Sequence, residues 1–229
     1  MTTLVERIAD VRRRIDEAVA ARGPGPAVTL CAVSKRHPVQ AIVAAADAGL
    51  RDFGENYAQQ LRDKRAELGD DPRVRWHAIG PLQRNKVKYV VGCHLVHTVD
   101  RAEIVTALQA RAASEGLVQR VLVQVNVGGE AQKHGVAPAE LPALLDAFAD
   151  TPAIHCVGLM TIPPEGSPEA TRPHFAALRR LLQAQAKVAR PHVDLTELSM
   201  GMSADFEVAI AEGATIVRVG TAVFGPRPT

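Results

Sequence analysis

Leu4, Ile8, Val11, Ile15 and Val19 recur at steps of three and four residues, the spacing that puts side chains on one face of a helix. The pattern ends at Arg22-Gly23-Pro24-Gly25-Pro26, a run of helix breakers. Val28–Val33 follows, apolar, partly β-branched and too short for a helix, so it reads as a strand. A helix from Pro38 to Ala48, closed by Gly49, completes the first unit.

The same alternation continues along the chain. Strand Arg51–Phe53 precedes helix Glu55–Leu68, and strand Arg73–Ala78 precedes helix Gln83–Val91. His94–Val99 leads into Arg101–Glu115, and Arg120–Asn126 into Pro138–Ala149. Ile154–Met160 is followed by Ser167–Ala189, Leu195–Ser199 by Ala204–Glu212, and Thr215–Val219 closes the series. The strand runs are apolar without strict alternation, the mark of strands covered on both faces in a parallel sheet. Eight strands alternating with helices at about 28 residues per unit predict an α/β chain of the (β/α)8 TIM-barrel type. The N-terminal helix would supply the eighth helix. An open doubly wound sheet carries the same alternation and stays as the alternative. No boundary linker, low-complexity tract or repeat divides residues 1–229, which therefore read as one domain.

Composition narrows the function. Of the 229 residues, 47% are hydrophobic and 23% charged, and the formal net charge is only +2. Arg12-Arg13-Arg14 lies within the helical pattern and reads as a solvated face. With eight aromatic residues in all, there is little to stack on bases, so nucleic acid is not the expected partner. Cys31, Cys93 and Cys156 stand far apart, without a C-x-x-C pair, which fits buried thiols in a reducing compartment. The N-terminus lacks the apolar core of a signal peptide, and no segment approaches a membrane span of ~20 apolar residues. The cytoplasm is the expected location.

In a barrel of this type the chemistry gathers where the strands end. Lys35 ends the first strand. It reads either as a stem reaching solvent or as an amine whose apolar setting makes it a Schiff-base nucleophile. After the seventh strand comes Ser199-Met200-Gly201-Met202-Ser203-Ala204-Asp205, and after the eighth Gly220-Thr221. These two loops form the usual phosphate site of the fold, with Gly201 admitting close backbone approach. Ser203 also reads as a plain helix N-cap. Arg218 shares a face with Gly220, opposite Val217 and Val219. It calls for an acceptor, either a carboxylate such as Glu55 or Glu197 or the ring nitrogen of a cofactor. His77 ends a strand and could touch a ligand or bond loop backbone. His94 and His97, on one predicted strand, would point to opposite faces, which disfavours a metal pair; no metal is expected. The residues alone also allow a Schiff-base aldolase acting on a phosphorylated sugar.

The segments Ala32–Lys35, Phe53–Gln59, Trp76–Lys86, Val125–Gly135, Gly158–Pro164 and Ser199–Gly225 closely resemble the YggS/PROSC-type pyridoxal phosphate homeostasis proteins. That family is similar to the barrel domain of alanine racemase. The resemblance spans nearly the whole chain. It implies pyridoxal 5′-phosphate (PLP) held as an internal aldimine on Lys35, with phosphate contacts from Ser203 and from the backbone around Gly220 and Thr221. It further implies that Arg218 faces the pyridine nitrogen, and it places Asn56 and His77 in matching motifs of the pocket. The implied role is intracellular PLP homeostasis, as a carrier or buffer in exchange with cofactor-free PLP enzymes, and the implied state is a monomer. A PLP-dependent amino-acid racemase is the alternative. Racemase chemistry calls for a second base, a tyrosine from a further domain, whereas this sequence holds only Tyr57 and Tyr89 and ends soon after Val219.

Overall fold

The computed structural model describes residues 2–130 and 134–226. Residues 131–133, within the Val125–Gly135 motif, lie outside the described part. Eight parallel strands close into a barrel in chain order, which rules out the open sheet. They are β1 (Thr29–Val33), β2 (Asp52–Glu55), β3 (Arg75–Ala78), β4 (Leu95–Val99), β5 (Gln119–Gln124), β6 (Ile154–Met160), β7 (Val193–Ser199) and β8 (Ile216–Val219). The seam is the pairing of β1 with β8, which runs from Thr29 opposite Ile216 to Ala32 opposite Val219.

Around the barrel stand α1 (Leu4–Arg22), α2 (Val39–Asp47), α3 (Ala58–Leu68), α4 (Ala102–Ser114), α5 (Leu141–Asp146), α6 (Pro168–Gln185) and α7 (Phe206–Ala211). Thr3 and Glu6 cap α1 reciprocally, which satisfies two backbone donors that a helix start leaves open. Three expectations need correction. Between β3 and β4 only a 3₁₀ turn forms, over Arg84–Tyr89. The helix expected over Pro138–Ala149 is regular only over Leu141–Asp146. A one-turn helix, α8 (Thr221–Phe224), follows β8, too short to leave a periodic signal. Thus α1 is not the sole cover after β8. It packs beside α7, α8 and α2, its Arg7 Nε donating to the Val223 carbonyl at 2.8 Å and its Arg14 pairing with Glu207 at 2.5 Å.

Two apolar clusters sit on opposite faces of the sheet. The larger, including Ala32, Val217 and Val219, lies between strands and helices. The smaller, including Cys31, Val33, Leu95, Leu122, Met160 and Ile216, fills the barrel interior. Alternation along β1 and β8 explains the division: neighbours in sequence face opposite sides. Burying each large aliphatic side chain stabilises the fold by about 1.5–3 kcal/mol.

A polar thread runs among these interior residues. His77 Nε2 lies 2.9 Å from Asp52 Oδ1, and His77 Nδ1 lies 2.9 Å from His97 Nε2. His97 Nδ1 lies 2.9 Å from Ser199 Oγ, to which Arg218 donates at 2.7 Å. Burial drives the proton affinity of His97 well below the ordinary histidine range, and burial with nearby charge lowers His94 to about 4. Burial alone would raise the Asp52 carboxyl, but hydrogen bonds from His77 and Arg75 outweigh it and hold the carboxyl below its usual value.

Gly158 sits where β6 shifts register against β7, and a Cβ there would come within 2.0 Å of the Glu197 carbonyl oxygen. Gly158→Ala should therefore cost about 2–3 kcal/mol, the upper range of overpacking, because backbone yields less than a side chain. Urea unfolding checks this, and an unchanged midpoint contradicts the close approach. The histidines set a second expectation. Below the ordinary histidine value of about 6.5 the unfolded chain takes up protons on His94 and His97 that the folded chain refuses. Stability should then fall as pH drops from about 6.5 towards 4, by at most ~1.4 kcal/mol per pH unit for each such proton. Below that, the contribution of Asp52 is lost as well. Melting temperatures measured between pH 7 and 4 test the slope; a flat profile means that the folded protein protonates His97.

Candidate functional site

Ser34, the residue before Lys35, is held on every polar group. Its N–H donates to the Gly54 carbonyl at 3.0 Å, and its hydroxyl donates to Glu55 Oε1 at 2.6 Å. Its carbonyl accepts from His37 N at 3.0 Å and from Lys64 Nζ at 2.8 Å. The turn that follows needs a left-handed residue, supplied by Arg36 at φ 65°. Lys35 is thereby set at the barrel mouth on a rigid base, partly buried. Lys64 and Glu55 form a buried pair at 2.6 Å beneath it. Pattern reading considered Glu55 only as an acceptor for Arg218 and missed Lys64, which looks like an ordinary charge on a helix.

A cleft of about 240 Å³ opens at the mouth, lined by Val33, Lys35, His37, Met202, Ser203, Ala204, Arg218, Gly220, Thr221 and Gly225. Five sequence-predicted residues, Lys35, Ser203, Arg218, Gly220 and Thr221, thus meet in one place. The β1–β8 seam brings the first of them to the other four.

Ser203 is not the cap of α7. That helix starts later, after Asp205, and Asp205 Oδ1 accepts from Met202 N at 2.7 Å. The Ser203 hydroxyl instead accepts from Ala222 N at 3.4 Å, so it ties the β7 loop to the β8 loop. Gly201, at φ 91°, has a structural reason that needs no ligand: a Cβ there would meet Ala209 Cβ of α7 at 2.6 Å.

Arg218 is 4% exposed. Both carboxylates considered for it are engaged elsewhere: Glu55 with Lys64 and Ser34, Glu197 with Thr215 and, at 3.7 Å, Arg120. Its guanidinium is braced from behind by Ser199 Oγ and, at 2.8 Å, by the Thr161 carbonyl. Burial lowers its proton affinity to about 10, which leaves it charged at neutral pH. Among the described residues its hydrogen-bond acceptors are neutral, an arrangement that is costly for a buried cation even with Asp205 nearby, and it faces a cleft able to admit an electron-rich partner.

Asn56 and His77 do not line this cleft. Asn56 packs against Gly80, where a Cβ would meet the Asn56 carbonyl oxygen at 1.9 Å. His77 points into the barrel interior, 1% exposed, because alternation along β3 turns it inward below the mouth. Nor do His94 and His97 face opposite ways. The strand starts only at Leu95, and both rings lie near that of His77, with centroids 5.3 and 5.1 Å away. Asp52, His77 and His94 bring ligand-type atoms within 4.8 Å of one another. Arg75 lies 2.5 Å from Asp52, and Arg120 lies 3.5 Å from His94, a cationic setting that opposes a metal ion. Tyr57 and Tyr89 both lie outside the cleft; Tyr89 is flanked by Arg62, Lys86 and Lys88.

A family profile described as "Alanine racemase, N-terminal domain" matches residues 8–228. The pyridoxal phosphate homeostasis protein of Pseudomonas aeruginosa is 47% identical over 230 residues, covering 99% of this chain and 97% of that protein. Its counterpart in Aquifex aeolicus is 45% identical over 228 residues, covering 97% of each. The structure of PipY from Synechococcus elongatus with PLP bound superimposes with a TM-score of 0.84 at 38% identity, covering 97% of this chain and all of that one. The chain belongs to the alanine racemase N-terminal domain family and, within it, to the pyridoxal phosphate homeostasis proteins.

Proposed function

We propose that this protein binds PLP in the cleft at the barrel mouth and serves to hold and release that cofactor in the cytoplasm. The observation that carries the reading is Arg218, a buried cation that hydrogen-bonds no carboxylate among the described residues and has Asp205 only as a nearby charge, in the same cleft as Lys35 and Ser203. The residues fit the cofactor part by part. Lys35 is the primary amine that would attach its aldehyde. The Ser203 hydroxyl and the backbone around Gly220 and Thr221 would take its phosphate, and Arg218 would donate to its ring nitrogen.

Bound PLP supplies an electron-withdrawing ring that stabilises charge on a substrate carbon. The ring withdraws electrons best when its nitrogen is protonated. Arg218 keeps its own protons at neutral pH and so would hold that nitrogen as an acceptor, which would weaken the electron sink. A racemase offsets this with a second base opposite the lysine. Neither tyrosine lines the cleft, which supports a carrier over a racemase. The three cysteines are free and buried, in keeping with a reducing cytoplasm. Among the described residues no helix is long and apolar enough to cross a membrane. The exposed large apolar side chains, such as Val5, Val118 and Val188, are few, which supports a monomer. Cofactor-free PLP enzymes are the proposed recipients.

Lys35→Ala should abolish the visible band of the PLP-loaded protein while the barrel still folds. Borohydride reduction and peptide mapping should place the adduct on the Lys35 peptide; an adduct on Lys86 or Lys133 overturns the assignment. Ser203→Ala should weaken PLP binding about ten- to hundredfold, the worth of a charge-assisted hydrogen bond, and affect phosphate-free pyridoxal little. Equal loss for both ligands removes Ser203 from the phosphate site. The loaded protein should restore an apo-transaminase faster than free PLP does when a scavenging amine is present. Amino-acid turnover in the ordinary enzyme range of ~1–1000 per second would replace the carrier reading with the enzymatic one.

A further inference from the structure

The polar thread through the barrel has only one consistent direction. A carboxylate only accepts, so His77 Nε2, 2.9 Å from Asp52, carries a hydrogen. A guanidinium only donates, so Ser199 Oγ accepts from Arg218. Neutral His77 then has a bare Nδ1, which must accept from His97 Nε2–H at 2.9 Å. That leaves His97 Nδ1 bare, and the Ser199 hydroxyl donates to it at 2.9 Å. Every link is satisfied, and each orients the next. Were His97 to carry its hydrogen on Nδ1 instead, the Ser199 hydrogen would lose its partner inside a buried site, where an unmade hydrogen bond is expensive.

The surroundings favour the same arrangement. Arg75 pairs with the far oxygen of Asp52 at 2.5 Å, and Arg120 lies by His94, whose ring packs on His77. Arg75 takes the far carboxylate oxygen and leaves Oδ1 to accept from His77 Nε2. Arg218 does not give up a proton at neutral pH, so the thread ends there and conducts none to the cleft. Its effect at the mouth is orientation.

We propose that His97, aligned by His77 and Asp52, is a positioning residue for Arg218. It turns the Ser199 lone pairs towards the guanidinium and so decides which guanidinium N–H groups remain for a ligand in the cleft. The proposal rests on the PLP reading for the identity of that ligand, but the relay exists without it. A charge at the floor of the barrel thereby sets the donor geometry at its mouth.

The relay is tested first in the PLP-free wild-type protein. Histidine ¹⁵N–¹H spectra at neutral pH should show His77 and His97 each with hydrogen on Nε2 and a bare Nδ1. Hydrogen on His97 Nδ1, or a doubly protonated His77, overturns the proposal. The second arm uses Asp52→Asn and Ser199→Ala, with Leu141→Ala, a core truncation under α5, as a control for general destabilisation. The first two should shift the visible absorption of bound PLP and weaken its binding about three- to tenfold, the worth of one ordinary hydrogen bond. The control should lower the melting temperature and leave the band in place. Wild-type spectra and affinities in both relay variants overturn the proposal. A wild-type protein that takes up no PLP sinks the cofactor reading instead, and the tautomer measurement still decides the relay.

Discussion

The hydrogen bonds between β1 and β8, from Thr29–Ile216 to Ala32–Val219, close the sheet, and the cleft exists only because of them. Lys35 sits on the turn after β1, whereas Ser203, Arg218, Gly220 and Thr221 lie on or after β7 and β8. In an open sheet these groups would stand at opposite edges. Residues of α1, outside the cleft lining, reinforce the seam from outside. Arg7 holds the carbonyls of Val223 and Phe224, and Arg14 reaches Glu207. The N-terminal helix is thus part of what keeps the two ends of the barrel together.

Two buried charges give the mouth its character, and they are handled in opposite ways. Lys64 is neutralised directly by Glu55, and the pair pins Ser34 and the turn that carries Lys35. Losing one member would strand the other in a dry setting, where breaking such a pair is strongly destabilising. Among the described residues Arg218 hydrogen-bonds only neutral acceptors, Ser199 and the Thr161 carbonyl, with Asp205 no more than a nearby charge. The first arrangement makes a rigid platform and the second leaves charge available to a ligand. The proposed carrier role calls for both: a fixed attachment point, and a grip that does not drive chemistry on what it holds.

The barrel interior is less uniform than a purely apolar filling. Cys31, Leu95, Leu122 and Ile216 pack beside a continuous line of polar groups from Asp52 to Arg218. Such a line is tolerated because each member finds its partner. Its cost appears at His97, where burial opposes protonation, so the centre of the barrel contributes to the acid sensitivity expected of the fold.

Much of this was legible in residue order. Apolar runs without alternation marked all eight strands, β6 with its full extent, and the three- and four-residue spacing marked α1. Lys35, Ser203, Arg218, Gly220 and Thr221 stood out as polar or glycine residues at strand ends, and the repeated alternation already implied a barrel that would gather them. Periodicity is a local signal, set by what one side chain sees within a turn or two of its own segment. It cannot register α8, with its four residues, or the shortening of the helix after β5. Nor can it assign hydrogen-bond partners between strands distant in sequence. His77, read as a ligand contact or a bond to loop backbone, lies instead between Asp52 and His97 inside the barrel; Glu55, read as an acceptor for Arg218, is the buried partner of Lys64. Those roles depend on which strands adjoin and which face each residue turns inward, and barrel closure alone decides both.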